Sequence, residues 1–186
     1  MVSRLNGKKL FLFDFDGVLI DSRKNMMISW NSCRKKFKLK PNFNDYFSQI
    51  GKPFKVILDD LGIDVRMHRK IAKEFNNVSI KNFKKIKLYP NSKKVLKKLK
   101  NKGYILGLIT SKDRKRVSSL VSKFGLNFHI ILCPVNRRYS KPHPYQVNST
   151  IKKFKLKKEQ AVFVGDMAAD KLTAKNALID FVYSKY

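Results

Sequence analysis

Four acidic residues stand where a carboxylate could do chemistry. Asp14 and Asp16 close one apolar run, and Asp166 and Asp170 follow another. They are four of only 13 acids in a chain of 186 residues that also carries 42 Lys and Arg. Side chains alternate along a strand, so Asp14 and Asp16 can point one way while Phe15 packs elsewhere. Carboxylates brought together repel one another unless a cation sits among them. A set of hard oxygen ligands with no His or Cys suggests Mg²⁺. Thr110-Ser111 ends a further apolar run, and Lys141 follows another one after a loop.

These residues need elements that deliver them to one place. Lys9–Phe15 reads as a buried strand that ends in the turn signal Asp16-Gly17. From Ser22 to about Lys87 the pattern is helical, and no strand is expected there. Met27, Trp30, Arg34 and Phe37 share one face; Phe54, Ile57, Leu58 and Leu61 follow the i, i+3, i+4, i+7 rule. A longer pattern through Val65, Ile71, Ala72, Phe75, Phe83 and Ile86 is expected to break near Asn76-Asn77. Gly51-Lys52-Pro53 is the clearest loop of this stretch.

After Tyr89-Pro90 strands and helices alternate. Helices are expected over Ser92–Lys102 with Val95, Leu96 and Leu99 inward, Asp113–Phe124 with Asp113 as cap, Pro144–Phe154, and Ala169–Ala177. Strands are expected over Tyr104–Ile109, His129–Cys133, Ala161–Val164 and Phe181–Tyr183. Alternation of this kind gives an α/β fold, a Rossmann-like parallel sheet with helices on both faces. In such sheets sites form beyond the carboxyl ends of the strands, where the four acids, Thr110-Ser111 and Lys141 all fall.

The segments FDFDGVLIDS (Phe13–Ser22), LITS (Leu108–Ser111), SKPHP (Ser140–Pro144) and VGDMAAD (Val164–Asp170) resemble the four motifs of the haloacid dehalogenase-like (HAD) superfamily. The similarity is to its phosphatase branch, with phosphoglycolate phosphatases and β-phosphoglucomutases. It covers nearly the whole chain in the family's order and spacing. It implies a HAD-like α/β catalytic core formed by residues 1–20 and 88–186. Residues 21–87 would form a helical cap inserted after the first strand.

The resemblance also implies roles. Asp14 is the expected nucleophile, forming an aspartyl-phosphate, and Asp16 the acid that protonates the leaving oxygen and then activates water. Mg²⁺ would be held by Asp14, the backbone carbonyl of Asp16, and Asp166, with Asp170 as a direct ligand or as a support for the others. Thr110 and the Ser111 amide would hold phosphoryl oxygens, with Gly17 beside them, and Lys141 would neutralise charge on the nucleophile. Lys52 falls where related caps present a specificity loop; it either contacts a substrate anion or is one more solvated lysine. Arg23 and Lys24, beside the hinge, carry the same two readings. Met167 and Ala168 replace more polar residues common between the two acids of the last motif. The chain also stops at Tyr186, where relatives usually continue with another strand or helix.

Composition bounds the rest. The formal charge is +29, which suggests a nucleic-acid partner. Yet 33 Lys, 14 Asn and 14 Ile are what an AT-rich genome would favour, although only Glu74 and Glu159 are Glu. Residues 21–87 carry 17 bases and 6 acids, and the other 119 residues carry 25 and 7, so no single basic domain stands out. A diffuse positive surface that steers small anionic phosphate esters is the favoured reading, with a nucleic acid a less favoured partner. Cys33 and Cys133 have no paired spacing and are expected as buried thiols, and His68, His129 and His143 show no ligand spacing. No apolar run reaches a membrane span and none resembles an export signal, so a reducing cytoplasm is the expected compartment. The leading function is a Mg²⁺-dependent phosphatase of a small monoester. The alternatives are a phosphomutase, a phosphatase for nucleic-acid ends, and a noncatalytic nucleic-acid binder on the same fold.

Overall fold

The computed structural model describes residues 6–134, 136 and 139–185. At its centre lies β1 (Leu10–Phe13), all four residues of which are buried. It pairs in parallel with β4 (Ile105–Ile109) on one side and β6 (Ala161–Gly165) on the other. With β5 (Ile130–Leu132) and β7 (Asp180–Tyr183) they form a five-stranded sheet of order β5-β4-β1-β6-β7. Every pair is parallel, as the strand–helix alternation requires.

Two apolar layers follow from the alternation of side chains along β1. Phe11, Phe13 and Phe15 enter one layer with Leu96 of α5 (Ser92–Asn101) and Val117 and Leu120 of α6 (Arg114–Phe124). Leu10 and Leu12 enter the other with Val147 and Ile151 of α7 (Tyr145–Lys153) and Ala174 and Ala177 of α8 (Ala168–Ala177). Helices thus cover both faces, and the expected α/β architecture holds. Asp113 caps α6 by accepting from the Arg116 amide, and Gly125 ends it at φ 58°. In α5 only part of the expected inward face is buried: Leu96 is enclosed, whereas Val95 is 46% exposed.

A third apolar cluster belongs to the segment between β1 and β4. Four helices build it: α1 (Arg23–Phe37), α2 (Phe43–Phe47), α3 (Phe54–Asp60) and α4 (Val65–Lys81). Its centre is Trp30, stacked on Tyr46 with ring centroids 4.6 Å apart and enclosed by Cys33, Ile57, Leu58, Ile71 and Phe75. Three expectations need correction here. Met26, not Met27, enters the cluster, because the buried face of α1 runs through Met26, Ser29, Trp30 and Cys33 and leaves Met27 off it, 39% exposed. Helix α4 runs unbroken through Asn76-Asn77, and Val65 at its first turn is exposed. Strand structure also occurs: β2 (Ile20–Asp21) and β3 (Lys87–Leu88) pair antiparallel where the chain leaves and re-enters the sheet layer. Two residues are too few to leave a periodic trace in sequence.

Among the described residues the sheet ends at β7, beside which Leu178, Val182 and Tyr183 are exposed. Cys33 and Cys133 are separate buried thiols, and burial pushes Cys33 up to about 12. Among the described residues no helix is long and apolar enough to cross a membrane.

Candidate active site

The carboxyl ends of β1, β4 and β6 deliver Asp14, Thr110 and Asp166 to one edge of the sheet. α8 begins just past β6 and places the fully buried Asp170 beside them. Carboxylate oxygens of Asp14, Asp166 and Asp170 lie within 4.8 Å of one another. Lys141 reaches into this group and donates to Asp14 Oδ1 and to Asp170 Oδ1, both at 2.7 Å. Its own burial opposes charge on Lys141, but the two carboxylates outweigh that, and its pKa moves up.

One ammonium does not neutralise three carboxylates. Burial first, then Asp170 and Asp16 against the opposing pull of Lys141, pushes Asp14 up to about 8. Burial and Asp170 push Asp166 up to about 7. Asp166 Oδ1 is buried with no hydrogen-bond partner. An orphaned carboxylate oxygen among crowded acids fits a divalent cation, whose charge would remove the repulsion. Asp170 is more fully engaged: Oδ1 takes Lys141, and Oδ2 accepts from the amides of Asp166 at 3.2 Å and Met167 at 3.1 Å. It therefore holds the loop that carries Asp166.

Glycines make this crowding sterically feasible. Gly17 has φ +81°, and a Cβ there would lie 2.0 Å from Asp166 Oδ2. At Gly165 a Cβ would lie 2.3 Å from Asp170 Cβ. Both positions must lack a side chain for the two acids to approach.

Asp16 stands apart from the three-carboxylate cluster. Its Oδ1 accepts from Ser22 Oγ, and its Oδ2 lies 3.1 Å from Lys112 Nζ. Its carboxylate lines the same cavity as Asp14, Thr110, Ser111 and Lys141. Thr110 Oγ1 accepts from the Lys112 amide at 3.2 Å. Ser111 Oγ donates to the Gly51 carbonyl, so the loop of the helical segment is tied to the sheet edge. Lys52 lines the cavity too, but its ammonium pairs with Asp60 at 2.7 Å and with Gln49. Arg23 lines a neighbouring cleft of 280 Å³ and sits 4.5 Å over the Phe47 ring.

The structure therefore gathers Asp14, Asp16, Thr110, Ser111, Lys141, Asp166 and Asp170 with Gly17, and leaves Lys52 at the rim with its charge engaged. It adds Lys112 and Arg116, which sequence reasoning passed over. Lys112 is 8% exposed, and burial, only partly offset by Asp16, pulls its pKa down. Among 33 lysines nothing marks it except its place directly after Thr110-Ser111.

The family model described as haloacid dehalogenase-like hydrolase matches residues 11–183. The phosphoglycolate phosphatase of Pasteurella multocida is 32% identical over 91% of this chain and 82% of its own length. That of Haemophilus influenzae strain 86-028NP is 30% identical over the same shares. Among solved structures, a predicted phosphoglycolate phosphatase from Haemophilus somnus superposes with a TM-score of 0.84 at 28% identity, over 96% of this chain and 86% of that one. A hydrolase from Pseudomonas syringae reaches 0.85 at 18% identity, over 95% and 84%, and shares the fold.

Proposed function

Since the chain belongs to the haloacid dehalogenase-like hydrolase family, we propose that it is a Mg²⁺-dependent phosphatase of a small phosphate monoester. It would act through an aspartyl-phosphate, in the manner of the phosphoglycolate phosphatases it is similar to. One observation carries this reading: Asp14 and Asp16 line one cavity, yet only Asp14 joins the carboxylate cluster with Lys141. Two neighbouring acids in different surroundings suit two different roles.

Asp14, held by Lys141 through Oδ1, attacks phosphorus with its other oxygen. The ester P–O bond breaks, and Asp16 gives its proton to the departing oxygen. Asp16 then takes a proton from water, which attacks the aspartyl-phosphate, releasing inorganic phosphate and restoring the Asp14 carboxylate. Thr110 and the Ser111 amide hold phosphoryl oxygens, and Lys141 offsets charge on the nucleophile. The ion would rest against Asp14, the Asp16 carbonyl and Asp166, with Asp170 positioning Asp166. When bound, Mg²⁺ supplies positive charge against the phosphoryl oxygens. Residues 21–87 act as the cap and residues 1–20 and 88–186 as the core; the β2–β3 pair and the separate apolar cluster support that division.

The test is phosphate release from a panel containing 2-phosphoglycolate, sugar phosphates, nucleotides and 3′-phosphorylated oligonucleotides, with and without Mg²⁺. Asp14→Asn is expected to lower kcat by about 10⁴-fold while leaving the protein folded. Equal activity of wild type and variant on every ester would remove Asp14 as the nucleophile.

A further inference from the structure

The cavity that holds Asp14, Thr110 and Lys141 continues past Asp16 to a wall of Tyr46, Phe54, Ile57 and Phe75. An anion on that side has few partners to choose from. The amide nitrogen of Asn25 is already spent on the carbonyls of Ser79 and Asn82, and its oxygen accepts from Ser79. Lys52 is held at the rim by Asp60 and Gln49. Among the described residues two cations remain, Lys112 and Arg116, both lining the cavity.

Neither is used up by the protein. Lys112 has a side chain 7% exposed and pairs with one carboxylate oxygen, Asp16 Oδ2 at 3.1 Å. An ammonium has three N–H donors, so two are left for a ligand. Arg116 bonds Asp113 through Nε, and its guanidinium carbon lies 5.8 Å over the Phe75 ring. Its terminal nitrogens have no acceptor among the described residues. The group is thus fixed in place by α6 on one side and the cap on the other, with its outer N–H groups available. A buried ammonium and a fixed guanidinium beside apolar rings form a site for an anion.

We propose that Lys112 and Arg116 recognise a second anionic group of the substrate, a carboxylate on the leaving-group side of the phosphate monoester. A carboxylate has two oxygens, so it can accept from the Arg116 guanidinium and from the Lys112 ammonium together. Asp16 lies between the two anionic ends, where the leaving oxygen must be protonated. The assignment rests on the phosphatase reading and adds to it the acid end of the substrate and the two residues that read it.

The test compares 2-phosphoglycolate with its uncharged amide at one pH in saturating Mg²⁺, for wild type, Lys112→Met and Arg116→Gln. The measured quantity is the ratio of kcat/KM for the acid to kcat/KM for the amide. Loss of a charge-assisted hydrogen bond is expected to lower that ratio by roughly 30-fold in each variant. If Lys112 serves only to hold Asp16, both esters lose rate together and the ratio stays put. A fall of less than about tenfold in both variants overturns the proposal. Arg116 is a partly exposed side chain of α6 that belongs to none of the three apolar clusters, so its variant decides the matter even if Lys112→Met fails to fold. Wild type that releases phosphate from neither of these two but from another ester of the panel overturns this assignment alone, whereas release from no ester sinks the phosphatase reading as well.

Discussion

At the scale of single residues, the site depends on what is absent as much as on what is present. Gly17 sits in the left-handed region, and a methyl group there would overlap the Asp166 carboxylate. Gly17→Ala is therefore expected to displace Asp166 and weaken Mg²⁺ binding by about tenfold or more, read as a rise in the Mg²⁺ concentration for half-maximal activity. An unchanged Mg²⁺ requirement would mean that Asp166 is not where the ion rests. Most of the site was legible in sequence, because acids are scarce here and those of the site fell at a strand end or, for Asp170, on the helix that follows one. Lys112 was not, since a lysine becomes informative only once the fold buries it. Lys52 shows the converse: its loop position was readable, but its partner Asp60 lies on α3 and could not be foreseen.

At the scale of elements, Gly107 shows how tightly the strands that deliver the site are packed. A Cβ on this residue of β4 would come 2.6 Å from Leu12 Cδ2 and 3.1 Å from Ile130 Cγ2. Gly107→Ala should cost about 1–3 kcal/mol of stability, seen as a lower urea midpoint with little change in activity of the folded fraction. The alternating elements were readable because apolar periodicity, the Asp113 cap and Gly125 all agreed. The helical segment was harder. Met26 and Met27 are adjacent and chemically equal, so only the face that α1 turns to its neighbouring helices decides which is buried. Strands β2 and β3 exist because the chain must cross twice at one point, a constraint of topology that no local pattern records.

At the scale of the whole molecule, the crowded acids couple stability to pH and to metal. Without metal, Asp14 and Asp166 titrate at about 8 and about 7 in the folded protein, against 3.8 as ordinary carboxylates. The folded state then binds more protons than the unfolded state between those values. The contribution is fully present below about pH 4 and is lost as pH rises through 7 to 8. The Tm of the metal-free protein should fall by several degrees between pH 5 and pH 8, and saturating Mg²⁺ should flatten that slope. A metal-independent slope would show that the acids do not share an ion.

The edge of β7, unpaired among the described residues, carries a colloidal consequence. Its exposed Val182 and Tyr183 leave a strand to which another molecule's strand could add. A charge of +29 keeps copies of the molecule apart before such edges meet. That protection is electrostatic, so it shrinks with ionic strength, the screening length falling to about 3 Å at 1 M salt. The same excess of lysine that would draw an anionic ester inward thus also guards the sheet against its own copies. High salt should remove both effects together.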